Sequence, residues 1–103
     1  MNTNKVKKIL KLSTSWCAPC RVYANTFHKV KEMEEYKNIE FKEIDIEKDE
    51  DGEVLAEKYQ VRSVPTTILL DENDEPIYKV MGNIPEKDLI TIINESLKDR
   101  ENG

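Results

Sequence analysis

The chain has 103 residues, enough for one domain over 1–103 and too few for two independent cores. Hydrophobic residues make up 38% and charged residues 36%, so a compact core must sit inside a heavily charged surface. The net charge of −5 argues against nucleic-acid binding by bulk electrostatics and favours a monomer or small oligomer. No apolar run approaches the ~18 residues of a membrane span.

Residues 1–12 (MNTNKVKKILKL) are basic, but Lys8 and Lys11 interrupt the apolar stretch too early for a signal peptide. With Met1 as the start, the expected location is cytoplasmic, where thiols stay reduced. The lysines at 5, 7, 8 and 11 are too few for a nucleic-acid arm.

Residues 6–12 read as a strand with Ile9, Leu10 and Leu12 as its apolar members. Ser13, Thr14 and Ser15 form a short polar loop, followed by Trp16-Cys17-Ala18-Pro19-Cys20. Cys20, Ala24, Phe27 and Val30 then recur at helical spacing, and the helix fades near Tyr36. Residues 39–46 read as a second strand, with Ile44 and Ile46 on one face and Glu43 and Asp45 on the other. Residues 47–53 form a charged turn around Gly52, and a short helix follows with Val54, Leu55 and Tyr59 as its buried side.

Thr67–Leu70 is continuous and apolar enough for a sheet interior. Residues 71–76 are turn-rich, and Ile77–Met81 pairs back as a hairpin ending at Gly82. The last helix carries Leu89, Ile92, Ile93, Ser96 and Leu97 on one face. Pro85 suits its first turn, Glu86 and Asp88 its N-terminal dipole, and Lys98 and Arg100 its C-terminal end. The order β-α-β-α-β-β-α predicts an α/β domain with a mixed four-stranded sheet and helices on both faces.

Two cysteines and one histidine fall short of the usual four ligands of a structural zinc site. A bridge between Cys17 and Cys20 would close a very short loop and staple little, so the pair reads as chemistry rather than scaffold. At a helix start, partial positive charge and free N–H groups favour a thiolate at Cys17. Cys20 lies one turn further in, close enough to close a disulfide. Pro19 fits the first turn, where its missing N–H costs nothing. Half a zinc knuckle or two incidental thiols are the alternatives at this point.

The surrounding residues narrow the choice. Trp16-Cys17-x-Pro19-Cys20 after a buried strand, Val64-Pro65-Thr66 before another strand, and Gly82 after the last strand together resemble the thioredoxin family. The resemblance runs from Val6 to Leu97. It implies a thioredoxin-like fold and a thiol–disulfide oxidoreductase, with Cys17 as attacking thiolate and Cys20 as resolving thiol. Trp16 would shield the site and offer an apolar contact. Val64 and Thr66 would offer backbone hydrogen bonds to an extended substrate. Pro65 would follow a cis peptide bond, with its ring where a metal would otherwise bridge the sulfurs. Gly82 completes the substrate-facing set. No bound cofactor or metal is implied. The redox-active Cys17–Cys20 disulfide would act on disulfide-containing proteins and be recycled by a thioredoxin reductase-like, NADPH-dependent flavoprotein.

Three positions depart from the family pattern. Only sixteen residues precede Cys17, an outline closer to glutaredoxin. Ala18 replaces the family's usual glycine, and the Ala18-Pro19 pair tunes the redox potential. The family's buried aspartate falls at Lys11, and its lysine aligns with Glu43. The reversed pair either lies partly buried under the active site, with Glu43 serving proton transfer at Cys20, or snorkels to solvent at the sheet edge. A glutaredoxin-like protein recharged by glutathione, or a thioredoxin-fold binding module with incidental thiols, are the alternative functions. His28 reads as a surface or boundary residue. The seven acids among residues 43–53 read as a solvated turn.

Overall fold

A computed structural model describes residues 5–98. Strand β1 (Lys8–Ser13) is followed by helix α1 (Ala18–Lys31), a short 3-10 turn (Glu34–Tyr36) and strand β2 (Glu40–Asp45). Helix α2 (Gly52–Lys58), strands β3 (Thr66–Leu70) and β4 (Pro76–Met81), and helix α3 (Glu86–Leu97) complete the chain. The sheet order is β2-β1-β3-β4. β1 runs parallel to β2, across the helical crossover, and antiparallel to β3, while β3 and β4 form the antiparallel hairpin. This is the mixed four-stranded sheet expected from the element order.

Alternation along the central strands divides the core into two layers. Ile9 and Leu69 face α1 and α3, where they pack with Tyr23, Phe27, Val30, Leu89 and Ile93. Leu10, Leu12, Ile44, Ile68 and Leu70 face the other way and pack with Tyr59 and the partly buried Leu55 and Ala56 of α2. Both central strands are therefore covered on both faces, and every residue of β3 is buried. The expected exposed and buried faces of β2 are found, with Ile44 buried and Ile46 packed against the same layer.

Several details differ from the sequence reading. β1 begins at Lys8 rather than Val6, because the Val6 N–H bonds to Ser96 at the end of α3 instead of joining the sheet. α1 stops at Lys31, and Met33 is extended; Tyr36 belongs to a separate turn whose phenol donates to Asn94 Oδ1 at 2.7 Å. Val54 is 65% exposed, not buried. The inward face of α2 is Gly52, Leu55, Ala56 and Tyr59, so Leu55 and Tyr59 stand as expected and Val54 alone turns outward. Pro85 precedes α3 as its N-cap rather than sitting in the first turn. Lys98 stands at the C-cap and reaches Glu95, whereas Arg100 lies outside the described residues.

Gly52 is required by close approach. A Cβ there would lie 2.5 Å from the Ile46 carbonyl oxygen and 2.7 Å from that of Asp45. Backbone atoms cannot rotate away, so the turn carrying Glu47 is pinned against α2. Gly52→Ala is expected to cost about 1–3 kcal/mol, the usual penalty of overpacking. Urea unfolding measures it; a wild-type midpoint would show that this turn yields freely.

Candidate functional site

The site forms where β1 delivers the chain to α1. Cys17 is the N-cap of α1 in extended conformation, and its Sγ accepts the Cys20 N–H at 3.2 Å. A sulfur thus takes the place usually held by a capping oxygen. Ala18 and Pro19 open the helix, and its first turn holds no acidic residue to offset the dipole. The Arg21 guanidinium, one residue beyond Cys20, donates to the Ser15 carbonyl at 3.1 Å and braces the loop. Cys17 and Cys20 are joined as a disulfide with their Cα atoms 5.2 Å apart.

Both cysteines are buried to a similar degree, 5% and 3% exposed. What separates them is access. Cys17 lines an open groove of about 560 Å³ together with Trp16, Pro19, Ile46, Val61 and Val64, and Cys20 does not line it. Arg62 and Ser63 form part of its polar rim.

The Val64–Pro65 peptide is cis, as the motif resemblance implies. Cys17 Sγ lies 3.8 Å from the Val64 carbonyl oxygen. Val64 N–H and C=O enter no backbone hydrogen bond among the described residues, so an extended chain could pair with them. Thr66 sits deeper: its side chain is fully buried and its hydroxyl donates to the Ser63 carbonyl at 2.7 Å. Gly82 has φ 98°, a left-handed conformation that favours glycine, and its N–H donates to the Pro65 carbonyl at 2.8 Å. It therefore ties the end of β4 to the proline loop.

Trp16 is 65% exposed, and its indole N–H is shared between the two carboxylate oxygens of Glu47 at 3.1 Å. This fixes one edge of the ring and leaves a broad apolar surface facing solvent. Glu47 could not be singled out beforehand, being one of seven acids in a short stretch.

The reversed charges at Lys11 and Glu43 do meet. The two residues are register partners across β1 and β2, and Lys11 Nζ lies 3.2 Å from Glu43 Oε1. The ammonium also sits 5.7 Å from the Phe27 ring centroid, on the α1 face of the sheet. Lys11 does not snorkel to solvent: its side chain is 5% exposed, against 37% for Glu43. His28 of α1 donates from Nε2 to the other Glu43 oxygen at 2.6 Å. Burial pushes the Glu43 carboxyl up, but the His28 hydrogen bond and the Lys11 charge outweigh it and hold Glu43 below its ordinary value. His28 thus remains at the surface, yet it belongs to a three-residue network that no pattern in the sequence announced.

Beside Lys11 in the sheet, Thr67 shares a 2.6 Å hydrogen bond with the Tyr23 hydroxyl. Burial pushes the Tyr23 phenol up, with the Thr67 bond offsetting part of the effect, so it stays neutral. One further residue went unnoticed in the sequence. Thr14 is buried and lines the groove beside Cys17, and its Oγ1 has no hydrogen-bond partner among the described residues. An unpaired buried hydroxyl costs about 1–3 kcal/mol.

Comparison with known proteins agrees with this geometry. The sequence model of the family described as Thioredoxin matches residues 1–95. Thioredoxin Asp f 29 of Aspergillus fumigatus is 36% identical over 77 residues, covering 75% of this chain and 66% of that protein. The crystal structure of spinach chloroplast thioredoxin f (short form) is 28% identical with a TM-score of 0.74, covering 91% of this chain and 80% of that one. Malassezia sympodialis thioredoxin (Mala s 13) has a TM-score of 0.76 over 93% of this chain and 80% of its own. At 21% identity it supports the fold alone. Family chemistry requires no bound cofactor beyond the redox-active disulfide. The chain therefore belongs to the thioredoxin family, and its Cys17–Cys20 pair is a thiol–disulfide oxidoreductase centre.

Proposed function

We propose that the reduced protein transfers two electrons to disulfides of other proteins through Cys17. The observation that carries this reading is that Cys17, and not Cys20, lines the groove. The Cys17 thiolate attacks one sulfur of the substrate disulfide. The substrate S–S bond breaks, a mixed disulfide forms, and the departing substrate thiolate takes up a proton. Cys20 then loses its proton and attacks Cys17 Sγ. The mixed disulfide breaks, the second substrate thiol is released, and the Cys17–Cys20 disulfide is left. The substrate is reduced by two electrons and the protein is oxidised by two.

The groove supports substrate recognition by backbone and apolar contact. An extended segment would pair with the Val64 backbone while its side chains meet Trp16, Ile46 and Val61. Thr66 and Gly82 hold the Pro65 loop in place for that pairing. Recycling falls to an NADPH-dependent flavoprotein reductase that reopens the disulfide and presents a redox-active pair of its own.

In this reading Glu43 serves proton transfer at Cys20; the His28 bond and the Lys11 charge keep it ionised, which leaves it free to accept a proton but makes it a weaker base. Lys11, buried in β1, balances that charge. Ala18 and Pro19 set the exposure of the helix start and so tune the potential.

Cys20→Ser is expected to accumulate a mixed disulfide on Cys17 when mixed with a reducible protein disulfide, whereas Cys17→Ser forms none. Non-reducing electrophoresis with mass spectrometry reads this; an adduct on Cys20 would reverse the roles. Glu43→Gln is expected to slow the resolving step about a hundredfold near neutral pH, within the usual range for a general base. An unchanged pH profile of disulfide exchange would remove that role. Glu43 also makes stability depend on pH. Its depressed carboxyl contributes stability that is fully present above the ordinary glutamate value and lost as pH falls through the lower folded value. Glu43→Gln should therefore flatten the acid limb of the wild-type stability curve in urea melts.

A further inference from the structure

We propose that the acidic turn at 45–49 is a bracket for the substrate groove: it holds Glu47 where its carboxylate fixes Trp16, and so sets how well protein disulfides bind beside Cys17. Glu47 is then a positioning residue that acts through Trp16, and Asp45 one that acts through Glu47. Trp16 lines the groove that Cys17 lines. It is largely exposed, and its backbone enters no hydrogen bond among the described residues. The indole N–H, shared between the two Glu47 oxygens at 3.1 Å, is its one hydrogen-bonded anchor among those residues. Without that anchor, an exposed ring on a loop is free to change rotamer.

The turn that carries Glu47 is braced from within and at both ends. Asp45 Oδ1 accepts the N–H of Glu47 at 2.9 Å and that of Lys48 at 3.0 Å. Asp49 Oδ2 accepts the Asp45 N–H at 2.8 Å, while the Asp49 N–H donates to the Asp45 carbonyl at 2.9 Å. On the β1 side, the Ile46 N–H donates to the Ser13 carbonyl at 2.9 Å. On the α2 side, Gly52 packs against the Asp45 and Ile46 carbonyls too closely for any Cβ. A stiff piece of backbone thus delivers the Glu47 carboxylate to the indole. A ring held before the substrate arrives costs less to order on binding, so the bracket strengthens binding to the groove. An extended protein segment spans Trp16 and Val64, whereas a small disulfide needs only Cys17, so the gain falls mainly on protein substrates.

The test removes the acceptor and watches the ring. In Glu47→Leu, the KM for insulin, with dithiothreitol as reductant, is expected to rise about fivefold, the scale of ordering one side chain on binding. The anisotropy of Trp16 fluorescence should fall with it; Trp16 is the single tryptophan, so the signal has one source. Reduction of a small aromatic disulfide should slow less than reduction of insulin. Glu47→Gln should restore KM and anisotropy, because its amide oxygen still accepts the indole N–H. Asp45→Ala should shift both in the same direction by loosening the turn, and Asp45→Asn should restore them. In a Trp16→Ala background, Glu47→Leu should raise KM no further, since the residue it positions is gone.

Wild-type KM and anisotropy in Glu47→Leu, or an equal rise in KM with Trp16 already replaced, would overturn the proposal. So would a loss confined to kcat, which marks general damage to the redox centre rather than a loosened groove. The proposal rests on the reading that substrates bind along the groove beside Trp16, and Trp16→Ala alone tests that separately. A wild-type KM in Trp16→Ala would sink the groove reading and the bracket together. A raised KM in Trp16→Ala with Glu47→Leu at the wild-type value would sink the bracket alone.

Discussion

The Cys17 cap of α1 is the constraint from which the rest of the site follows. An α-helix leaves its first N–H groups unpaired, and something must accept them. Here the acceptor is one of the two sulfurs of the redox pair, Cys17 Sγ, 3.2 Å from the Cys20 N–H. The same hydrogen bond that stabilises the helix start stabilises charge on Cys17. It also sets the spacing that lets Cys20 reach back. β1 and β3, buried on both faces, hold this junction against the Pro65 loop, and Gly82 ties that loop to β4. The apolar layers therefore act on function by keeping two loops, distant in sequence, in register around one sulfur.

Charge beneath the site follows a different logic. A lysine in a central strand is costly unless paired. Lys11 is paired on one side with Glu43 and rests against the Phe27 ring on another. Glu43 in turn is held by His28. The sheet register places Lys11 and Glu43 opposite each other, so reversing both charges together keeps the pair while exchanging which strand carries the anion. The buried member is now the cation on β1, and the carboxylate stands at the edge strand, nearer to water.

Much of this could be read from residue order. The crossover between the first two strands required parallel pairing, and the short turn after Leu70 required a hairpin, which together set the mixed sheet. The Trp16–Cys20 stretch, the Val64-Pro65-Thr66 tripeptide and Gly82 located the reactive end. On α2, Leu55 and Tyr59 were legible but Val54 was misplaced, because the helix has only seven residues and its inward face begins at a glycine, which carries no hydrophobic signal. The partners Glu47 and His28 were invisible for a different reason. Their contacts join residues 31 and 15 positions apart, and nothing in a charged run marks which member turns inward. Thr14 was hidden within a polar triplet, since a loop threonine is ordinarily solvated and only the folded chain shows it buried.

The most direct measurement is the equilibrium reduction potential of the Cys17–Cys20 pair, titrated in dithiothreitol and glutathione buffers and read by thiol alkylation with Trp16 fluorescence as a second probe. With Lys11 balanced by Glu43, the pair should behave as a reversible two-electron couple at or below about −220 to −260 mV, in the range of a disulfide reductant. A potential near that of a strong oxidant, about −120 mV, or the absence of a reversible couple, would contradict it.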